Sequence, residues 1–276
     1  MTYESLVEQI KKKESFLCVG LDTDLTKVPP FLRKADDPIF EFNRQIVDYT
    51  APYAIAYKPN IAFYEAYGSK GWQSLEKTVS YIRANYPDLF LIADAKRGDI
   101  GNTANMYARA FFEQMDFDAI TLSPYMGADA IKPFLQYPGK WAIILALTSN
   151  EGAADFQTMQ EKHTEVPLFE KVIMRAQQWG TSENLMFVMG ATQTPLLKHI
   201  RKIIPHHFLL VPGVGAQGGS LEEVAACTLT PQGGIIVNSS REIIYAGNDE
   251  KFAQQAAAKA YIMQQQMKKL LANILA

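Results

Sequence analysis

The sequence predicts an α/β fold, a (β/α)8 TIM barrel, on three observations. Eight short apolar runs alternate with helical segments at spacings of roughly 25 to 45 residues. The chain has 276 residues, near the usual length for that architecture. Charged residues gather at the C-terminal ends of the apolar runs, the end where barrel sites are built. No proline- or glycine-rich linker interrupts the pattern, so residues 1–276 are expected to form one barrel domain with a short N-terminal helix and a C-terminal helix.

Residues 3 to about 13 read as an amphipathic helix, with Leu6, Val7 and Ile10 on one side. Phe16 to Asp22 is a buried strand ending in a carboxylate, and by parity Phe16, Cys18, Gly20 and Asp22 face one way. A loop follows through Pro29-Pro30 and Asp37-Pro38, and helical spacing resumes from Ile39 to Tyr49. Strand two, Ala54 to Lys58, again ends in a charge. Strand three runs through Leu91-Ile92-Ala93-Asp94-Ala95-Lys96, and a helix is expected from Gly101 to about Met115. Strands four and five are Ala119 to Leu122 and Ala142 to Leu147, the latter breaking at Thr148-Ser149-Asn150. A long segment precedes the helix Leu168 to Trp179. Strands six, seven and eight are Met186 to Met189, Phe208 to Val211 and Gly234 to Val237, with Asn238-Ser239-Ser240-Arg241 beyond the last. Lys251 to Ala276 is a terminal helix.

Strand three organises the rest. Phe90, Ile92, Asp94 and Lys96 share one face, which passes from apolar to ionic at the strand's end. Asp94 and Lys96 should lie roughly 7 Å apart there, within reach of each other across a ligand. Asp99, after Gly98, can bend back towards Lys96. A lone Asp-x-Lys fits a structural salt bridge as well as a site. However, Asp22, Lys58, Asp94, Lys96 and Arg241 all fall at or just past strand C-termini, which favours one shared site. His206 and His207 precede strand seven and belong to the opposite end, with a stability or solvent role.

Gly213-Val214-Gly215-Ala216-Gln217-Gly218 matches a dinucleotide-binding fingerprint, but the acidic residue that should follow about 20 residues on is replaced by Val237-Asn238-Ser239-Ser240. Its place after strand seven suits a phosphate cup instead. Glycines admit backbone N–H groups to an anion, and Ser220-Leu221-Glu222-Glu223 opens a helix nearby. Gln217 adds a donor and Arg241 a bidentate fork.

Composition excludes several classes. A net charge of -2 offers no basic footprint for nucleic acid. The longest apolar runs, such as Trp141 to Leu147, are too short to span a bilayer, and the N-terminus lacks a secretory pattern. Cys18 reads as a small core residue, and neither Cys18 nor Cys227 has metal-site spacing. His163, His199, His206 and His207 are scattered, so no metal site is expected. A reducing, cytoplasmic location fits.

Asp94-x-Lys96-x-x-Asp99-Ile100, with Leu21-Asp22, Lys58, Pro212-Gly213-Val214-Gly215-Ala216-Gln217 and Arg241, resembles the orotidine 5′-phosphate decarboxylase family, and its longer bacterial branch in particular. The resemblance covers nearly the whole chain. It implies a homodimeric barrel with no cofactor that converts orotidine 5′-monophosphate to uridine 5′-monophosphate in pyrimidine biosynthesis. It further implies that Lys96 protonates C6, that Asp94 sits near the substrate carboxylate, and that Lys58 links Asp94 to the ribose. Asp22 would bind a ribose hydroxyl, and Asp99, Ile100 and Thr103 would reach the neighbouring protomer's site. Ser149 would meet the pyrimidine edge, and Gly215, Gln217 and Arg241 the phosphate. The chain departs from the pattern at Ser240, where many members have glycine, and in the long segment after Ser149.

Two rivals remain at this level. A magnesium-dependent sugar-phosphate enzyme of the same superfamily would need an acid at strand two, where Lys58 stands. A noncatalytic phosphate-binding barrel would leave the charged array unused.

Overall fold

The computed structural model describes residues 1–191, 194–215 and 218–275. Eight parallel strands close into a barrel in chain order: β1 (Leu17–Gly20), β2 (Ala56–Lys58), β3 (Phe90–Arg97), β4 (Ala119–Leu122), β5 (Trp141–Leu147), β6 (Leu185–Met189), β7 (Leu209–Pro212) and β8 (Ile235–Ser239). β1 pairs with both β2 and β8, which closes the ring. The strands are short runs rich in Ile, Val, Leu and Ala because the barrel core buries one face and the surrounding helices bury the other.

The helices are α1 (Tyr3–Lys13), α2 (Pro38–Thr50), α3 (Ile61–Glu65), α4 (Gly68–Asn85), α5 (Gly101–Arg109), α6 (Lys132–Leu135), α7 (Ala153–Phe156), α8 (Leu168–Ala176), α9 (Thr194–Ile203), α10 (Leu221–Thr228), α11 (Arg241–Ile244) and α12 (Phe252–Leu275). The helix expected to reach Met115 is α-helical only to Arg109 and finishes in a π-helical turn, Ala110–Gln114. α3 and α4 occupy the stretch before β3, for which the sequence pattern named no element. α12 presents Ala253, Ala256, Ala260, Met263, Met267 and Leu271 inwards, a spacing that keeps one helix face buried. Phe252 stacks on Phe42 of α2 at 5.2 Å between ring centroids, which fixes the start of α12 against the barrel wall.

Register decides what fills the barrel. Cα pairing sets Cys18 beside Ala56 and Asn238, Gly20 beside Lys58, Ile92 beside Ala119, and Thr121 beside Ile143. The N-terminal end is closed by aromatic rings: Trp141 meets Phe90 and Phe208 edge-on at 6.2 and 6.4 Å, and Tyr3 of α1 covers Trp141 and Phe208. The same row of side chains becomes polar at the C-terminal end, through Lys58, Asp94, Thr121 and Asn238. One end is plugged by rings and the other carries the polar and charged groups.

Candidate active site

Among the described strands β3 alone carries two opposite charges on alternate residues, and its backbone departs from a regular strand where they stand. Its pairing with β4 shifts register between Ala93 and Arg97, and Lys96 adopts φ +48°. That left-handed conformation is uncommon for a side-chain-bearing residue. A regular strand would hold Asp94 and Lys96 roughly 7 Å apart. Lys96 Nζ stands 2.6 Å from Asp94 Oδ1, so the two pair directly rather than across a ligand.

The other Asp94 oxygen accepts from Lys58 Nζ at 2.8 Å. Asp94 is therefore shared between a buried lysine on β2 and the half-exposed Lys96. Burial would raise the Asp94 carboxyl, but Lys58 and Lys96 outweigh it and hold it at about 2. Burial would likewise push Lys58 down, yet Asp94 and then Asp22 lift it to about 12. Both groups stay charged across the ordinary pH range.

Thr121 completes this arrangement and had no sequence signal, since it reads only as a β-branched strand residue. Its hydroxyl accepts from the Lys96 backbone N–H at 2.9 Å and donates to Asp94 Oδ1 at 3.0 Å. It thus ties the left-handed backbone of Lys96 to the carboxylate that Lys96 binds.

A buried network fixes the end of β1. Tyr64 donates to the Leu21 carbonyl at 3.0 Å, and Tyr245 donates to the Asp22 carbonyl at 2.9 Å while accepting from Asp24 N–H. Asn43 donates to Tyr64 and accepts from Thr23. These partners come from α2, α3 and the end of α11, which local pattern reading does not connect. They aim Asp22 into a cavity of about 510 Å³ lined also by Gly213, Val214, Gly215, Asn238 and Arg241.

That cavity lies beyond β7 and β8, where the glycine turn and Arg241 meet. Gly213 at φ +83° and Gly215 at φ +130° adopt conformations that disfavour a side chain, and a Cβ on Gly215 would press on the Glu242 carboxylate. Ser149 follows β5, and its hydroxyl lies 3.9 Å from where a Gly213 Cβ would stand. Arg241 is exposed at the start of α11, and Ser220 caps α10 by accepting from Glu223 N–H at 3.3 Å. Gln217 lies outside the described residues. The departure at Ser240 has a steric counterpart: its hydroxyl occupies the space that a side chain on Gly20 would fill.

Asp99, Ile100 and Thr103 stand apart from this cluster. Asp99 accepts from Ile100 N–H at 2.8 Å, and among the described residues it forms no ion pair with Lys96. Ile100 is 48% exposed at the start of α5, and Thr103 is exposed one turn on. Cys18 is a buried core residue, and His207 is buried at the opposite end while His206 is exposed. Among the described residues no three His, Cys, Asp or Glu side chains group as metal ligands. Nor is any helix among them long and apolar enough to cross a membrane.

Residues 15–256 match the family described as orotidine 5′-phosphate decarboxylase / HUMPS family. The chain belongs to that family. It is 59% identical to the orotidine 5′-phosphate decarboxylase of Phocaeicola vulgatus, over 98% of this chain and 99% of that one. It is 60% identical to the enzyme of the same name from Christiangramia forsetii, over 97% of each. Among solved structures, Leishmania donovani OMP decarboxylase superposes with a TM-score of 0.79 at 33% identity, covering 96% of this chain and 99% of that one.

Proposed function

We propose that this chain decarboxylates orotidine 5′-monophosphate to uridine 5′-monophosphate and carbon dioxide, using no cofactor. The observation that carries the reading is Asp94 held between Lys58 and Lys96 at the mouth of the barrel, beside a glycine-lined anion cup. The family and its full-length relatives support the same activity.

The C6–carboxylate bond breaks, its electron pair stays on C6, and Lys96 donates a proton there as carbon dioxide leaves. With no electron sink in the ring, the developing carbanion depends on fixed charge and prompt protonation. Asp94 stands near the substrate carboxylate and keeps Lys96 cationic. Lys58 connects Asp94 to the ribose, and Asp22 accepts from a ribose hydroxyl. Ser149 meets the pyrimidine edge, while Gly215, Gln217 and Arg241 take the phosphate. Such a reaction requires on the order of 20 kcal/mol of barrier lowering, more than one ion pair supplies. Phosphate binding supplies the rest by closing the segment after Ser149 and the Gly213 to Gly219 loop over the ligand. Equal hydrogen-exchange protection of both loops with and without a nucleotide inhibitor would overturn that closure.

The working unit is a cytoplasmic homodimer in which Asp99, Ile100 and Thr103 enter the neighbouring site. The exposure of Ile100 and Thr103 and the separation of Asp99 from Lys96 within one chain support this.

The test is loss of orotidine 5′-monophosphate absorbance in EDTA by wild type and Lys96→Ala. Rapid turnover by the wild type alone supports the reading. No turnover by the wild type despite tight nucleotide binding would replace it with a binding barrel.

A further inference from the structure

β8 runs two residues further than its apolar pattern indicates, to Ser239, and that extension turns Asn238 into a strand residue. Its Cα pairs with that of Cys18, so it stands in the same inward row as Cys18 and, across β1, as Ala56. Asn238 is 8% exposed and lines the cavity together with Asp22. Its Nδ2 donates to Ser240 Oγ at 3.1 Å. Its Oδ1 is buried with no hydrogen-bond partner among the described residues, and the same is true of Asp22 Oδ1. Gly20 provides the space: a Cβ there would come within 3.2 Å of Asn238 Oδ1 and collide with Ser240.

Two buried acceptors without donors, on two residues that line one cavity, are costly unless a ligand supplies the donors. An acceptor-rich phosphate cannot do so and would be repelled by the Asp22 carboxylate. Neighbouring hydroxyls can, each giving one proton to one oxygen. We propose that Asn238 is a sugar-reading residue, accepting a hydrogen bond from a ribose hydroxyl of the substrate alongside Asp22. This rests on the nucleotide reading given above and adds to it a contact on β8. The Asn238–Ser240 bond occupies the amide nitrogen and leaves Oδ1 as the unpaired atom of the carboxamide.

The test is a binding cycle, read by calorimetry on the full chain with uridine 5′-monophosphate, its 2′-deoxy and 3′-deoxy forms, and inorganic phosphate. Asn238→Ala and the near-isosteric Asn238→Leu should each weaken uridine 5′-monophosphate about tenfold. Against one of the two deoxy nucleotides, the one lacking the hydroxyl that Asn238 reads, both variants should match the wild type. Inorganic phosphate affinity should not change. The leucine variant guards against collapse of the cavity, and its melting temperature shows that it is folded. Equal weakening of all three nucleotides by both variants, or no weakening of any, would overturn the role of Asn238. A wild type that binds phosphate but shows no preference for any nucleotide would overturn the nucleotide reading as well.

Discussion

The two ends of the barrel each bury a cation, and they treat it in opposite ways. At the C-terminal mouth Lys58 meets Asp94 at 2.8 Å with Asp22 close by, and it is lifted to about 12. Near the N-terminal end Arg201 of α9 meets, among the described residues, carbonyls alone: Thr228 and Ile204 at 2.9 Å, Gly234 at 2.8 Å and His207 at 2.7 Å. Burial pushes Arg201 down to about 10, against a small opposing pull from Tyr3. Oriented dipoles can hold a buried cation in place, but only full negative charges reverse the effect of its burial. The Arg201 knot spends four of its five N–H donors on carbonyls, tying α9 to the starts of β7 and β8. The Lys58 cluster ends in Lys96, which is half exposed. The two ends therefore differ in where their charge is directed.

The sharpest way to break this contrast is Lys96→Ala. It should lower kcat by at least about 10⁴-fold while leaving the melting temperature within a few degrees, because half of the side chain is exposed and Asp94 keeps Lys58. Steady-state kinetics beside a thermal melt would check both halves.

Asp94→Asn should damage both properties at once. It removes the carboxylate from a buried lysine, and urea unfolding should register a loss of about 3–5 kcal/mol together with nearly complete loss of turnover. Stability equal to wild type would mean that Asp22 alone holds Lys58.

Arg201→Met should show the opposite pattern, with about 3 kcal/mol of stability lost through stranded carbonyls and kcat unchanged below the melting transition. A large fall in kcat in the folded variant would erase the distinction between the two ends.

Acid should separate the ends by pH. Burial, with Arg201 and His206 nearby, pushes His207 down to about 4. An unfolded histidine binds its proton near 6.5, so between these values the unfolded chain holds more protons. Stability from His207 is complete above about pH 6.5 and falls as pH drops to about 4, by on the order of 3 kcal/mol. Asp94, held at about 2, loses its contribution only as pH falls from about 4 through 2, and Lys58 only as pH rises from about 10.5 through 12. Denaturation midpoints should therefore decline between pH 6.5 and 4 in the wild type and stay flatter in His207→Phe, whose ring retains the contact with Phe187.

The smallest effect belongs to Thr121. Thr121→Val should cut kcat about 10- to 30-fold with KM little changed, and Thr121→Ser should restore it, because the hydroxyl orients Lys96 and Asp94 without needing its methyl group. Equal loss in the serine variant would point to packing instead.

Much of this molecule was written locally. Strand-length apolar runs at regular intervals carry the (β/α)8 architecture, because burial on both faces of a parallel strand demands it. The placement of Asp22, Lys58, Asp94 and Arg241 at strand ends follows from counting along each run, as does the glycine turn after β7. Counting failed where the backbone left its period. Lys96 takes a left-handed backbone that no strand period indicates, and the extension of β8 makes Asn238 an inward residue although the apolar run stops at Val237. Thr121, Tyr64, Asn43 and Tyr245 carry no local mark at all. By itself the sequence determined the fold class, the end of the barrel that carries charge, and the chemical types of the groups there. Only the tertiary structure decided which group touches which, since β3 meets β4, β8 meets β1, and α2, α3 and α11 reach β1 only when the ring closes and sets one register for every strand.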